Sequence, residues 1–394
     1  MKLSLQSNLT LYPLTIRPDK KHFIVEESLT GEFYEMPKIC IDAIDFINKG
    51  ETLGEIELKL QPKYPEEEVD LLAFGQQLLE LGLTKEIDGV AVQITKQNQS
   101  PEGFIWLSPR VGRFVFNKIT TKLFATIICI NILLLIMNPQ LLPNYQDLFL
   151  FDAMMFNVLT YMGVSLLLIL IHEFGHILAV RSHNLPAKLE VGHRLFLVVF
   201  ETDLSPAWKL SPRQRNSLYL GGICLDQLVI FITFAISLIF LEGNSFITGI
   251  LALIILDIFI KTIYQCCFYM KTDLYYLFEN LTGCYNLMEN SKQYLSKWFP
   301  FIKKDSTTQT FEDEEKFVRL YGIFYICGVL LTFGLLLFYF IPQALYAYSE
   351  TLPELMNPIG NPYFWDALIF LGQTMVMIGL LIYSWNKSKR SRTY

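Results

Sequence analysis

Charge is scarce in this 394-residue chain. Asp, Glu, Lys and Arg together make up 18% of it, against about 25% in ordinary soluble domains. The little there is leans acidic, with 38 Asp and Glu against 32 Lys and Arg and a net charge of −6. A nucleic-acid partner finds no support in that balance, since phosphate binding needs a basic face, and none is expected. The seven Cys show no paired spacing, which argues against a disulfide framework and against a CxxC zinc site. Cys129, Cys224 and Cys327 fall in apolar segments and read as buried small hydrophobes. The first thirty residues have no apolar core of signal-peptide length, so the N-terminus is expected to stay untranslocated.

Apolar residues are what the chain has in excess: 52% of it, including 31 Phe and 20 Tyr. Six stretches, roughly 119–137, 153–178, 218–241, 245–268, 318–341 and 365–385, are each long enough to cross about 30 Å of hydrocarbon. The connections alternate in charge. Arg110, Arg113 and Lys118 precede the first stretch, and Lys122 lies in its first turn. Arg181, Lys188, Arg194, Lys209, Arg213 and Arg215 follow the second. Lys271, Lys292, Lys297, Lys303, Lys304 and Lys316 follow the fourth, and Lys387, Lys389, Arg390 and Arg392 close the chain. Segments 138–152, 242–244 and 342–364 contain neither Lys nor Arg. The positive-inside rule reads that pattern as six spans of a multi-pass cell-membrane protein with both termini cytoplasmic.

The first hundred residues differ, with 10 Lys and Arg against 17 Asp and Glu. HFIVEESLTGEFYEM predicts two strands around a turn at Thr30-Gly31. Pro37 opens a helix through Ile39, Ile41, Ile44 and Ile47 that Gly50 stops. Leu53, Ile56 and Leu60 have helical spacing. So do Val69, Leu72, Leu79 and Leu83, in a helix expected to start at Pro65 and Glu66–Glu68. Two strands followed by three short helices outline a small cytoplasmic winged-helix-like α+β domain. The fold class is therefore mainly α, a polytopic membrane protein with about six transmembrane helices behind that domain. Its expected division is 1–100, a membrane core at 101–290, and a cytoplasmic loop with two further spans at 291–394.

Inside the second apolar stretch the chain reads Ile171-His172-Glu173-Phe174-Gly175-His176. Ionisable side chains at membrane depth are functional-site candidates by default. His172 and His176 are four residues apart and share one helix face, which suits a single Zn²⁺, with Glu173 as general base toward water. Such a metal lowers the pKa of water toward about 7 and polarises a carbonyl. Gly175 leaves room for another backbone or a substrate to come close. Catalytic zinc takes three protein ligands, and Asp226, Asp257 and Asp273 are the acidic candidates for the third. Asp257 has Lys261 four residues on and reads as an i,i+4 ion pair. Asp273 is preferred because a carboxylate suits a hydrolytic zinc. Cys266 and Cys267 are alternatives, but on a continuous helix Cys266 stands about 10 Å from Asp273, too far to share one ion with it. LEVGHRLFLVVFETDLSPAW, between the second and third stretches, alternates as strands do. His183 and His193 beside it read as interfacial residues.

IHEFGH in a membrane span with TDLYYL after the fourth span resembles the site-2 protease family of intramembrane zinc metalloproteases. It is most similar to a bacterial branch whose second motif is Asp-Gly-Tyr-Tyr. Asp273, Tyr275 and Tyr276 match that motif. Leu274 replaces its Gly, and Cys267-Phe268 stand where the family carries Asn-Pro. The resemblance implies His172, His176 and Asp273 as zinc ligands and Glu173 as catalytic residue. It also implies a membrane-dipping hairpin beside the site, whose strand edge would capture an extended substrate. Gly221-Gly222-Ile223 with Asp226 loosely echoes a family motif, giving Asp226 a role in holding the substrate carbonyl or orienting the metal site.

Residues 1–95 resemble the small peptide-binding domain of the PQQ-biosynthesis chaperone, which recurs on enzymes that mature ribosomally made peptides. This second resemblance rests on LTGEFYEM, the helix spacing and LLELGLT before a final strand. Together the two imply a zinc endopeptidase that cuts a small precursor or membrane-anchored peptide, with leader recognition by the N-terminal domain. A peptide-modifying enzyme or exporter would be its partner. The alternatives are a regulatory intramembrane protease acting on a membrane signalling protein, and a non-catalytic zinc-containing component that binds or exports a peptide.

Overall fold

The computed structural model describes residues 3–20, 22–28, 30–92, 103–194, 197–239, 245–284, 287–296 and 315–391. The chain divides into two compact units, Met1–Glu102 with Ser205–Pro212, and Gly103–Leu204 with Arg213–Tyr394.

The first unit is α+β. Its elements are β1 (Leu9–Leu11), β2 (Leu14–Asp19), β3 (His22–Glu27), β4 (Phe33–Met36), α1 (Lys38–Ile47), α2 (Leu53–Leu60), α3 (Leu71–Glu80), β5 (Thr84–Ile87) and β6 (Val90–Ala91). Two antiparallel three-stranded sheets form, ordered β2-β3-β4 and β1-β5-β6. The β3–β4 hairpin pairs Phe23 with Met36, and its loop contains Gly31 at φ +72°. Helix α1 starts after Pro37, and Gly50 at φ +83° follows it. Helix α2 begins in a capping box of Thr52 and Glu55. The expected start of α3 is corrected. The helix begins at Leu71, where Asp70 Oδ1 accepts the Ala73 N–H at 2.8 Å, and Pro65–Glu68 lie outside it. The cap outweighs the Pro and the glutamates because it satisfies an orphan N–H of the first turn. With that start Leu71, Gly75 and Leu78 are buried, and Leu72 is exposed. Ile44, Leu53, Ile56, Leu60, Leu78 and Leu83 make the core of this unit. Segment Ser205–Pro212 joins it through Arg17 Nη1 donating to the Lys209 carbonyl (3.1 Å) and through Lys209 Nζ at 3.0 Å from Glu26.

The second unit is helical apart from one hairpin. It runs α4 (Pro109–Val115), α5 (Lys118–Met137), α6 (Met154–Ser182), β7 (Leu189–Arg194), β8 (Leu197–Thr202), α7 (Pro212–Tyr219), α8 (Gly221–Ile239), α9 (Ser245–Gln265), α10 (Asp273–Thr282), α11 (Leu287–Leu295), α12 (Glu315–Leu335), α13 (Ile341–Glu354) and α14 (Pro362–Ser391). Among the described residues five helices are long and apolar enough to cross a membrane: Lys118–Met137, Met154–Ser182, Gly221–Ile239, Phe246–Gln265 and Glu315–Glu354. The chain is a mainly helical protein of that kind with a small N-terminal β-containing unit. The sixth expected stretch, 365–385, is helical within α14 but is not among the five; some of its side chains lie outside the described residues. The fifth helix is longer than expected. A π turn at Leu336–Phe340 joins α12 to α13 without a break, giving 40 residues.

Leu168 of α6, Ile230 and Phe234 of α8, and Ile255 and Ile258 of α9 form one apolar core. Asn131 Nδ2 of α5 donates to the Gln227 carbonyl at 2.9 Å and to its side-chain oxygen at 3.0 Å. Asp366 of α14 accepts the N–H groups of Met154 and Met155 at 2.6 and 2.8 Å, which supplies α6 with the cap that Ala153 cannot. Cys129 and Cys327 are exposed rather than buried, so the expectation for them is corrected. Both sit on the outer faces of long apolar helices, where a small hydrophobe needs no burial in protein.

Candidate metal centre

The helix is not continuous between Cys266 and Asp273, so the separation of about 10 Å on a continuous helix does not apply. Helix α9 stops at Gln265. A 3₁₀ turn follows at Phe268–Met270, and Lys271 takes a left-handed conformation at φ +53°. Thr272 Oγ1 donates to the Gln265 carbonyl at 2.8 Å, and Asp273 then opens α10 as its first residue. The break brings Asp273 to the histidines of α6. Cys267 is carried away, its Sγ facing the Gly328 carbonyl, and Cys266 Sγ points back to the Thr262 carbonyl. Asp257 is engaged with Lys261 at 2.5 Å, the i,i+4 pair read from the sequence.

His172, His176 and Asp273 form a tight triangle. The two Nε2 atoms are 3.3 Å apart, and Asp273 Oδ2 is 3.1 Å from His172 Nε2 and 3.4 Å from His176 Nε2. Each member has an outer partner. His172 Nδ1 is 2.7 Å from Asp226 Oδ2, and His176 Nδ1 is 2.8 Å from the Leu218 carbonyl. Gln265 Nε2 donates to Asp273 Oδ2 at 2.8 Å, while Gln265 Oε1 accepts the Asp273 N–H at 3.1 Å. A carbonyl can only accept, so His176 carries its proton on Nδ1. A carboxylate makes the same demand of His172. In the neutral imidazoles both Nε2 lone pairs therefore converge on a carboxylate oxygen with no proton between them. Two imidazole lone pairs and a carboxylate oxygen aimed at one point are the donor set of a cation site.

Zinc fits. Donors about 2.0–2.1 Å from a tetrahedral ion stand about 3.3 Å from one another, and the three separations observed are 3.3, 3.1 and 3.4 Å. Two imidazoles and one carboxylate match the ligand chemistry of hydrolytic zinc and leave one coordination position over. Glu173 also reaches within 4.8 Å of both histidines. The tighter triangle uses Asp273, because the Glu173 carboxylate is turned to β8. There Glu173 Oε2 accepts the N–H of Thr202 and its Oγ1–H, each at 2.8 Å.

The backbone at the motif is crowded. A Cβ on Gly175 would lie 2.3 Å from the Gly221 carbonyl oxygen, and one on Gly222 would lie 2.4 Å from His172 Nε2. The space at Gly175 is thus filled by the α8 backbone. Tyr275 is buried and donates to Glu279, and Tyr276 stacks on Tyr219 with ring centroids 6.0 Å apart, so these two motif residues pack α10 in place. His183 lies near Ser217 Oγ, and the side chain of His193 is outside the described residues. Gln265, Leu218 and Thr202 went unmarked in the sequence, while Gly222 entered only through the loose Gly221-Gly222-Ile223 echo. Only Gln265, a polar residue closing an apolar helix, carried a signal. Comparison of the chain with protein-family models, curated proteins and solved structures finds no match.

Proposed function

We propose that the chain is an intramembrane zinc metalloendopeptidase acting on a small ribosomally made precursor peptide or a membrane-anchored peptide. The observation that carries the reading is the convergence of two Nε2 lone pairs and the Asp273 carboxylate at zinc-ligand spacing beside a buried glutamate. Zinc bound there supplies Lewis acidity toward a scissile carbonyl and toward water. The protein's own groups do the rest. Asp226 and Leu218 fix the tautomers of the two histidines, and Gln265 fixes the Asp273 carboxylate. Glu173 takes a proton from the attacking water and returns it to the leaving amine.

Substrate must lie extended to be cut, and among the described residues β8 pairs only with β7, so its other edge carries no strand. An added strand there satisfies its own backbone groups in a setting short of water. The N-terminal unit, read as a cytoplasmic winged-helix-like domain, holds the leader of the precursor. In the six-span reading, with α14 as the sixth beside the five long apolar helices, both termini are cytoplasmic.

The test is zinc per chain in purified protein, followed by precursor processing in cells. Wild type is expected to hold about one zinc, and His176→Ala and Asp273→Ala to lose it. Glu173→Gln is expected to keep the metal and stop processing. Full processing by Glu173→Gln would instead identify a non-catalytic zinc-containing component that binds or exports a peptide.

A further inference from the structure

Among the described residues the Glu173 carboxylate is hydrogen-bonded by one, and that residue belongs to the hairpin. Thr202 is the last residue of β8 and lies opposite Leu189. Antiparallel rungs alternate between bonded and non-bonded pairs. The Asp203 N–H bonds the Lys188 carbonyl at 2.8 Å, so the next rung, Thr202 opposite Leu189, is a non-bonded one. Its N–H therefore points away from β7, along the open edge of β8, and there it meets Glu173 Oε2. The Thr202 hydroxyl donates to the same oxygen. Both residues are at least nine-tenths buried, with 8% exposure each, so water does not substitute for either donor. With both donors on Oε2, Oε1 is the oxygen left for proton transfer.

We propose that Thr202 is the positioning residue of the general base, an inference that rests on the protease reading above. The strand whose edge receives substrate is then the strand that aims Glu173, and the carboxylate is aligned by the hairpin rather than by helix α6. A freely rotating Glu173 would spend most of its time away from the attacking water, so losing the hydroxyl acts on the chemical step and not on metal or substrate binding.

The experiment uses the full chain in detergent with two variants at this position, Thr202→Val and Thr202→Ser, and fluorescently labelled casein as the probe substrate. Thr202→Val keeps the shape and the N–H and removes the hydroxyl. It is expected to retain zinc at the wild-type ratio, to lower kcat on the order of tenfold and to leave KM within about twofold, while Thr202→Ser restores kcat. Melting temperatures of wild type, Thr202→Val, Glu173→Ala and the double variant close a cycle that needs no substrate. The melting loss from Thr202→Val is expected to shrink in the Glu173→Ala background, where the hydroxyl keeps only the Glu173 backbone carbonyl, 3.2 Å away. An equal loss in both backgrounds, a rise in KM at unchanged kcat, or a Thr202→Ser that behaves like Thr202→Val would overturn the proposal. Undiminished casein cleavage by Glu173→Gln would sink the protease reading instead, and the melting cycle would still decide the contact.

Discussion

His172 has both ring nitrogens engaged, one toward Asp226 and one toward the metal triangle. Outer partners of this kind fix the tautomer and raise the basicity of the ligand nitrogen. Asp226→Ala is therefore expected to weaken zinc binding by about 10–100-fold, measured by competition with a chelator of known affinity. Asp226→Asn, which can still present a carbonyl oxygen to Nδ1, should lose less. Equal affinity in all three proteins would remove Asp226 from the site. Gly222→Ala should act in the same direction by another route, since its Cβ has nowhere to go but the His172 ring. The histidines and Glu173 were legible because they sit at fixed spacing on one helix. Leu218 was not, because the acceptor is its carbonyl, which every residue type carries. Thr202 and Gln265 are joined to their partners through space and have no spacing to read.

At the scale of elements, the break between α9 and α10 decides the site. Apolar patterning ran across it, and the left-handed residue that makes it is Lys271, with no Gly to announce the turn. The false start of α3 is the converse case, where Pro65 and the glutamates signalled a helix N-terminus that the Asp70 cap took over. Helix α10 carries a second carboxyl, the half-buried Glu279, outside the long apolar helices. Burial pushes Glu279 up to about 7, opposed by hydrogen bonds from Tyr275 and the Leu287 N–H and by the Lys271 charge, with Glu289 adding to the rise. The native state then keeps a proton on Glu279 between pH 4.5 and 7 that the unfolded chain has released, so stability is greatest below about pH 4.5 and falls as pH rises through 7. The whole effect is at most about 3 kcal/mol. Glu279→Gln preserves the shape and cannot ionise. Its melting temperature in detergent should match wild type near pH 4.5 and exceed it at pH 8. A difference that stays constant with pH would show that Glu279 does not titrate in this range.

For the whole molecule, the alternation of Lys- and Arg-bearing connections predicts which segments share a side. Loop 138–152 and helix α13 are separated by four of the apolar helices or their apolar portions, so they face the same side. The α6–β7 connection is one crossing away from that loop and faces the other. The 40-residue helix sharpens the expectation for α13. At 1.5 Å per residue it is about 60 Å long, twice the roughly 30 Å of hydrocarbon, so α12 is expected to span and α13, with Glu350 and Glu354, to stand clear of the lipid. Single cysteines at Gln140, Ser349 and Lys188 test this against the labelling of the native thiols. A membrane-impermeant maleimide should reach Gln140→Cys and Ser349→Cys in intact cells, and Lys188→Cys only after permeabilisation. Labelling of Gln140→Cys without Ser349→Cys would mean that the chain crosses an odd number of times between them. Labelling of Lys188→Cys alone would invert the protein, placing the inner end of α6, and His176 with it, on the outer side. The cytoplasmic route for a ribosomally made peptide would then be closed, whatever the zinc content.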